Sequence, residues 1–147
     1  YAKAWRLWFS YPMTKFRVKF ADASGQHAAD VTELMAVRIR YFGGVIQELA
    51  PGASLDRDDT RLIVCRTSSR MAYLAYVTRG LLRRRWSVPG IELAYSTNAL
   101  CEYSDLSQGR RTIYVEADGE LVGTLPAEIT VVPDALTVLA PTPRTRA

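Results

Sequence analysis

The feature that most constrains this fold is a succession of short alternating segments separated by turns. Apolar and polar side chains alternate within each segment, which is the period of a strand with one buried face. Turn residues recur about every ten positions, a spacing typical of sandwiches and barrels. The pattern predicts about eight short strands, at residues 15–20, 35–41, 61–66, 91–95, 100–103, 112–117 with a strand returning from 120, 127–131 and 136–139.

Two segments have the spacing of helices. Residues 1–10 place Trp5 and Trp8 at helical intervals, and residues 70–85 follow the N-cap candidates Thr67-Ser68-Ser69. The second helix carries an apolar stripe, the pattern of a helix that packs against a core, at Met71, Leu74, Ala75, Thr78, Leu81 and Leu82. The sequence therefore predicts a mainly β protein, an antiparallel β-sandwich with one or two flanking helices.

Chain length, net charge and the number of cysteines limit the classes of protein to which this sequence can belong. A chain of 147 residues has the length of one domain, and 19 Lys and Arg against 15 Asp and Glu give a net charge of +4. This basicity suits nucleotide phosphates, anionic membranes or nucleic acid, and distinguishes none of them. Cys65 and Cys101 cannot form a disulfide framework, so two buried thiols in a reducing cytosol are expected. No apolar run approaches the roughly 20 residues of a membrane span.

The sequence lacks the residues that several kinds of catalytic, metal and phosphate-binding site require. His27 is the single histidine, and no Cys-x-x-Cys pair accompanies it, which argues against a zinc site or a Ser-His-Asp triad. Neither Gly-x-x-x-x-Gly-Lys-Ser/Thr nor Gly-x-Gly-x-x-Gly occurs, so no phosphate loop is visible. The basic residues are spread over several elements without a recognised motif, and nucleic acid is not expected as a partner.

The clearest local signal is the hairpin around Asp118-Gly119. A type I′ turn needs positive φ at both central residues, and Asp-Gly is a preferred pair there. Glu120 then begins the returning strand, where backbone hydrogen bonds fix its position, as a general base requires. From spacing alone, a plain soluble hairpin tip remains the simpler alternative.

Three other stretches carry weaker signals. Gly43-Gly44 follows a strand and indicates a bulge or a close approach of ligand or backbone. Asp56, Asp58 and Asp59 could bind a hard cation or form an ordinary polar loop. The cations of residues 15–20 could meet phosphates, although the solvated face of a sheet is the simpler interpretation. The basic cluster of residues 83–86 could touch a membrane surface or an anionic partner, although compensation of the helix dipole by solvated cations is the simpler interpretation.

The order of these motifs resembles the C-terminal part of bacterial diacylglycerol kinase and sphingosine kinase-like lipid kinases. The resemblance covers residues 1–140, with residues 141–147 as a flexible tail. It is carried by the Arg-Tyr-Phe-Gly-Gly, Ala-Pro-Gly-Ala-Ser-Leu-Asp, Pro-Gly, Val-Glu-Ala-Asp-Gly-Glu and Ile-Thr-Val-Val-Pro-Asp-Ala-Leu-Thr-Val-Leu stretches at residues 40–44, 50–56, 89–90, 115–120 and 129–139.

The resemblance implies a β-sandwich that holds a lipid alcohol, a diacylglycerol- or sphingoid-base-like hydroxyl, beside an N-terminal ATP-binding domain absent from this chain. Glu120 is then the proton acceptor and Asp118 a supporting residue, with Gly43 and Gly44 at the substrate cleft. The family's magnesium loop corresponds to residues 54–59, and Asp56, Asp58 and Asp59 are the implied ligands. ATP and Mg²⁺ are the implied cofactors.

The sequence departs from the family in three places. Asp56-Arg57-Asp58-Asp59-Thr60 replaces the usual Asp-Asp-Gly, Val45 stands where a third glycine is common, and the asparagine often found shortly before the Tyr-Phe-Gly-Gly stretch is missing. The resemblance implies a cytoplasmic, peripherally membrane-associated kinase, and this chain alone is expected to be inactive. A homodimer is left open. The alternative function is a non-catalytic β-sandwich that binds lipid or membrane through Trp5, Trp8 and residues 83–86.

Overall fold

The computed structural model describes residues 10, 12–41, 48–84, 86–104 and 111–137. The described elements are nine strands and one helix: β1 (Phe16–Asp22), β2 (Gly25–Val31), β3 (Glu33–Val37), β4 (Thr60–Cys65), α1 (Arg70–Leu81), β5 (Ile91–Ser96), β6 (Asn98–Glu102), β7 (Tyr114–Ala117), β8 (Glu120–Thr124) and β9 (Ala127–Thr130). They form a four-stranded sheet in the order β2-β1-β6-β9, a three-stranded sheet β3-β4-β5 and a two-stranded sheet β7-β8. Every strand pair within these sheets is antiparallel. The predicted class, mainly β with a sandwich of antiparallel sheets and a flanking helix, is confirmed.

The first core lies between the two larger sheets. Phe16, Val18 and Phe20 alternate along β1 and are buried, as their spacing predicts. They share one cluster with Leu62 and Val64 of β4. The polar face of β1 is solvated: Arg17 pairs with the carboxylate of Asp30 and Lys19 with that of Glu102, in agreement with the simpler interpretation of these cations.

A second core covers the opposite face of the three-stranded sheet. Ile63 and Cys65 point into it from β4 and pack with Tyr76 of α1 and with Ala50 and Ala53 of the preceding loop. Strand β4 is therefore buried on both faces, which explains its continuous apolar run. The order of layers is four-stranded sheet, three-stranded sheet and helix.

The two cysteines are free and buried, as predicted, and they belong to different cores. Burial raises the pKa of the Cys65 thiol to about 12 and that of Cys101 to about 11. Neither thiol is suited to nucleophilic chemistry at neutral pH, because the thiolate is the reactive form.

Two strand predictions need correction. Strand β2 was missed, because its polar and small residues, Gly-Gln-His-Ala-Ala-Asp-Val, lack a clear alternation. Strand β3 ends at Val37 instead of continuing to Tyr41. Val37 pairs with Arg61, and β4 begins one residue earlier at Thr60, so the later residues have no partner strand. Ile39 and Tyr41 are accordingly exposed.

Helix α1 begins as predicted but presents a different face to the core. Ser69 is its N-cap and accepts a hydrogen bond from the backbone N–H of Ala72. The helix ends at Leu81, and Arg83 has a left-handed φ of 51° that stops its continuation to Arg85. Within the described residues, no helix is long and apolar enough to cross a membrane.

The large side chains of the predicted apolar stripe of α1 face away from the core, whereas Ala75 of that stripe packs against it. Tyr76, Arg79 and Gly80 are buried instead, whereas Met71, Leu74, Leu81 and Leu82 are exposed. Gly80 permits this docking, since a Cβ there would lie 3.0 Å from the carbonyl oxygen of Glu48. The Tyr76 hydroxyl donates to the carbonyl of Leu49 over 2.5 Å and fixes the helix on the same loop.

Candidate functional site

The Asp118-Gly119 turn has the predicted geometry. Both central residues have positive φ, 51° for Asp118 and 88° for Gly119. Ala117 pairs with Glu120 across the turn, so Glu120 is the first residue of β8. The local sequence therefore fixes where the Glu120 backbone lies.

The hairpin is attached to the sandwich by its base. A two-stranded sheet is only marginally stable alone, so it needs such an anchor. Leu125 is buried in the first core, and Ile113 and Val115 pack against that core. The Leu125 N–H also donates to the carbonyl of Ile113 over 3.1 Å. These contacts hold the strand that carries Glu120.

The tip of the hairpin presents carboxylates and apolar side chains to solvent. Asp118 and Glu120 are both exposed. Elsewhere on the same hairpin, Tyr114, Leu121 and Val122 are 60%, 67% and 62% exposed. The strand register shifts between Val115 and Glu116, which leaves Val122 as an extra residue on β8. Exposed apolar groups in a cluster indicate a surface that another partner covers.

Glu120 lies on an open surface of the described residues. A shallow depression on the four-stranded sheet, lined by residues that include Lys19 and Glu128, does not include Glu120. The hairpin thus supplies a positioned carboxylate on an exposed surface. An enclosed reaction site would need a second wall from elsewhere.

The acidic loop is organised by arginines. Arg57 donates to both carboxylate oxygens of Asp59, over 2.6 and 2.7 Å. These hydrogen bonds lower the pKa of Asp59 below its ordinary value. Arg38 donates to the carbonyls of Leu55 and Arg57, and the Ser54 hydroxyl donates to Asp56 over 3.2 Å.

An aromatic ring beneath this loop was not predicted. The guanidinium groups of Arg57 and Arg61 lie 4.1 and 4.0 Å from the ring centroid of Tyr95, whose hydroxyl donates to the carbonyl of Gly52. The contact depends on the β4–β5 register, in which Arg61 is paired with Tyr95. The spacing of residues within one segment cannot reveal such a contact between two paired strands.

The loop as arranged does not fit a bound Mg²⁺. Among the described residues, no group of three or more His, Cys, Asp or Glu side chains could hold a metal ion. Both oxygens of Asp59 are occupied by Arg57, whose guanidinium supplies the positive charge that a cation would bring. Asp56 and Asp58 are exposed, and the assignment of these three residues as ligands stays a prediction.

Removal of Mg²⁺ is therefore expected to leave the stability of this chain unchanged. Its melting temperature should agree within about 1 °C in EDTA and in excess MgCl₂, since a cation held at 100 times its Kd would add about 2.7 kcal/mol. Scanning calorimetry measures the difference. A rise of several degrees with Mg²⁺ that Asp59→Asn removes would restore the loop as a metal site.

The predicted cleft residues, and the tryptophans of the alternative membrane-binding function, lie outside the described part of the chain. Gly43 and Gly44 belong to residues 42–47, and Trp5 and Trp8 to residues 1–9, neither of which is described. The same holds for the tail of residues 141–147. Of the predicted last strand at 136–139, only residues 136–137 are described, and they are not in a strand.

Comparisons with known proteins agree on one fold. The family model described as the YegS C-terminal NAD kinase beta sandwich-like domain matches residues 1–140. Among the curated proteins, none matches significantly. The solved structures that match include two candidate diacylglycerol kinases from Bacillus anthracis str. Sterne, with TM-scores of 0.60 and 0.59 and 17% identity. The first match includes 87% of this chain and 42% of that chain. The second includes 85% of this chain and 40% of that chain.

A third solved structure, a diacylglycerol kinase from the same organism, has a TM-score of 0.59 and 17% identity. The match includes 88% of this chain and 42% of that one. At this level of identity the structural matches establish the fold. The chain spans about two fifths of the length of the structures it matches.

Proposed function

Because this chain belongs to the YegS C-terminal NAD kinase beta sandwich-like domain family, we propose that it is the lipid-binding, catalysis-completing domain of an ATP-dependent lipid kinase. The acceptor is a diacylglycerol- or sphingoid-base-like hydroxyl. The observation that carries the proposal is the exposed carboxylate of Glu120, at the start of a strand whose hairpin is anchored to the first core.

The proposed chemistry uses the Glu120 carboxylate as a general base. It accepts the proton of the lipid hydroxyl as that oxygen bonds to the γ-phosphorus of ATP, while the bond from this phosphorus to ADP breaks. Positioning and charge stabilisation supply most of the catalysis in phosphoryl transfer. A carboxylate on a hydrogen-bonded strand supplies the positioning, and Asp118 supports it by shaping the turn.

The second wall of the site would come from an N-terminal nucleotide-binding domain. Leu121 and Val122, the exposed apolar residues that follow Glu120 on β8, form the surface that we assign to this contact. Mg²⁺ bound with ATP would neutralise charge on the transferred phosphoryl group. Gly43 and Gly44 are proposed to border the lipid cleft, in a kinase that works in the cytoplasm at a membrane surface.

The direct test is an assay of ATP-dependent phosphorylation. Radiolabelled ATP is incubated with diacylglycerol or sphingosine in mixed micelles, using either residues 1–147 or the full-length protein. We expect product only when a nucleotide-binding domain accompanies this chain. Full activity of residues 1–147 alone would overturn the division of labour, and failure of the full-length protein on both lipids would overturn the kinase proposal.

A further inference from the structure

Helix α1 is apolar on the side that faces away from the protein. Exposed apolar side chains follow one side of α1 and its C-cap, from 38% exposed at Leu74 to 69% at Met71: Met71, Leu74, Val77, Leu81 and the cap residue Leu82. The other side of the helix packs on the second core through residues that include Tyr76. Exposed apolar side chains grouped on one helix surface mark an interaction site, so a partner for this surface is expected; Trp86, four residues beyond the cap, is also exposed.

The charge of the surrounding segment indicates what the partner is. Residues 60–91 contain seven arginines and no aspartate or glutamate, but Arg79 is buried and Arg66 pairs with Glu92, so the cations relevant to this surface are those at the end of α1. Arg83 and Arg84 are exposed directly after α1, next to Leu81 and Leu82. An apolar surface with adjacent cations matches an anionic bilayer, where apolar groups enter the acyl boundary and arginines meet lipid phosphates.

We infer that the outer surface of α1 docks on an anionic membrane, with Arg83 and Arg84 at the phosphates and Trp86 at the headgroup level. Trp is enriched at that depth because its ring is amphipathic. The inference goes beyond the proposed kinase activity, because it depends on this surface alone and not on turnover.

The docking surface is separate from the hairpin. Helix α1 packs on the second core and the hairpin on the first, which lie on opposite faces of the three-stranded sheet. A membrane on α1 therefore does not compete with a domain that covers Glu120. This separation allows one measurement to test membrane docking and another to test catalysis.

The test is flotation of the 147-residue chain with vesicles of phosphatidylcholine and phosphatidylglycerol at about 7:3, compared with phosphatidylcholine alone. The variant Leu74→Glu/Leu81→Glu should bind the anionic vesicles at least about tenfold more weakly. Its matched control is Leu55→Glu/Leu136→Glu, the same change at two exposed leucines in loops, which should stay within about threefold of the unmodified chain.

A second variant separates the charge contribution. Arg83→Gln/Arg84→Gln should weaken binding to anionic vesicles by about ten- to thirtyfold and leave binding to phosphatidylcholine unchanged, at roughly 1 kcal/mol per arginine. Circular dichroism and the urea midpoint verify that each variant folds. If a leucine variant fails to fold, the exposed arginine variant still tests the surface.

Three results would overturn the inference. The unmodified chain could fail to bind anionic vesicles, or the α1 and control variants could lose binding equally. The third is that the α1 variants abolish a dimer seen by analytical ultracentrifugation and leave vesicle binding intact, which would assign the surface to a second copy. None of these results would affect the phosphorylation assay, so the two proposals fail independently.

Discussion

If this chain acts in the proposed two-domain kinase, Glu120→Gln in that kinase is expected to lower kcat by about 10²- to 10⁴-fold, the usual contribution of a general base. The amide has nearly the shape of the carboxylate but cannot accept the proton of the lipid hydroxyl. Because Glu120 is exposed and its backbone is held by the β7–β8 ladder, the substitution should leave the hairpin folded. Initial rates at varied ATP and lipid concentrations measure the effect, and the KM for ATP should change little.

Glu116→Gln is the matched control for this experiment. Glu116 lies on β7 of the same hairpin, is also exposed and pairs with Leu121. It should retain at least about half of the turnover, since an exposed charge outside the reaction site contributes little. Equal loss in both variants would assign the effect to the charge of the hairpin, and retained turnover in Glu120→Gln would remove the general-base assignment.

Asp118→Asn separates the turn from the chemistry. Asparagine tolerates the left-handed φ that Asp118 adopts, so the turn should survive the substitution.

The hairpin itself was predictable because the turn type, the strand alternation and the position of Glu120 are all local properties of one short stretch. The register shift that leaves Val122 without a cross-strand partner was not predictable, because it depends on how the two strands pair.

The orientation of α1 could not be predicted from its spacing. Both sides of the helix carry apolar residues, so the spacing is compatible with either side facing the core. Docking was decided by the loop beneath it, where Gly80 admits the backbone of Glu48 and Tyr76 bonds to Leu49. The exposed side then becomes the more informative one, because nothing in the described fold covers it.

The acidic loop shows a similar limit. Composition presents Asp56, Asp58 and Asp59 as one cluster, whereas the fold divides them among different partners. The reason lies between them in the sequence, at Arg57, which folds back on Asp59 and rests on Tyr95. A count of carboxylates does not show that Arg57 folds back on Asp59, because the ring that supports Arg57 comes from β5.

Leu62→Ala is expected to produce a large loss of stability. Leu62 is fully buried in the first core, on the strand that is covered on both faces. Truncation removes the transfer free energy of its methyl groups and leaves a cavity that the two sheets cannot close. The free energy of unfolding should fall by about 2–5 kcal/mol. Urea denaturation should show a lower midpoint with an unchanged slope.

The comparison for Leu62 is Leu136→Ala, which removes the same atoms at a position 85% exposed and should stay within about 0.5 kcal/mol. The effect should reach the proposed site, because Leu125 at the base of the hairpin is part of the same cluster as Leu62. We therefore expect Leu62→Ala to lower kcat in the full-length kinase even at temperatures where it remains folded. A small stability loss, similar to that of Leu136→Ala, would mean that the two sheets do not share this core, and the anchoring of Glu120 would need another explanation.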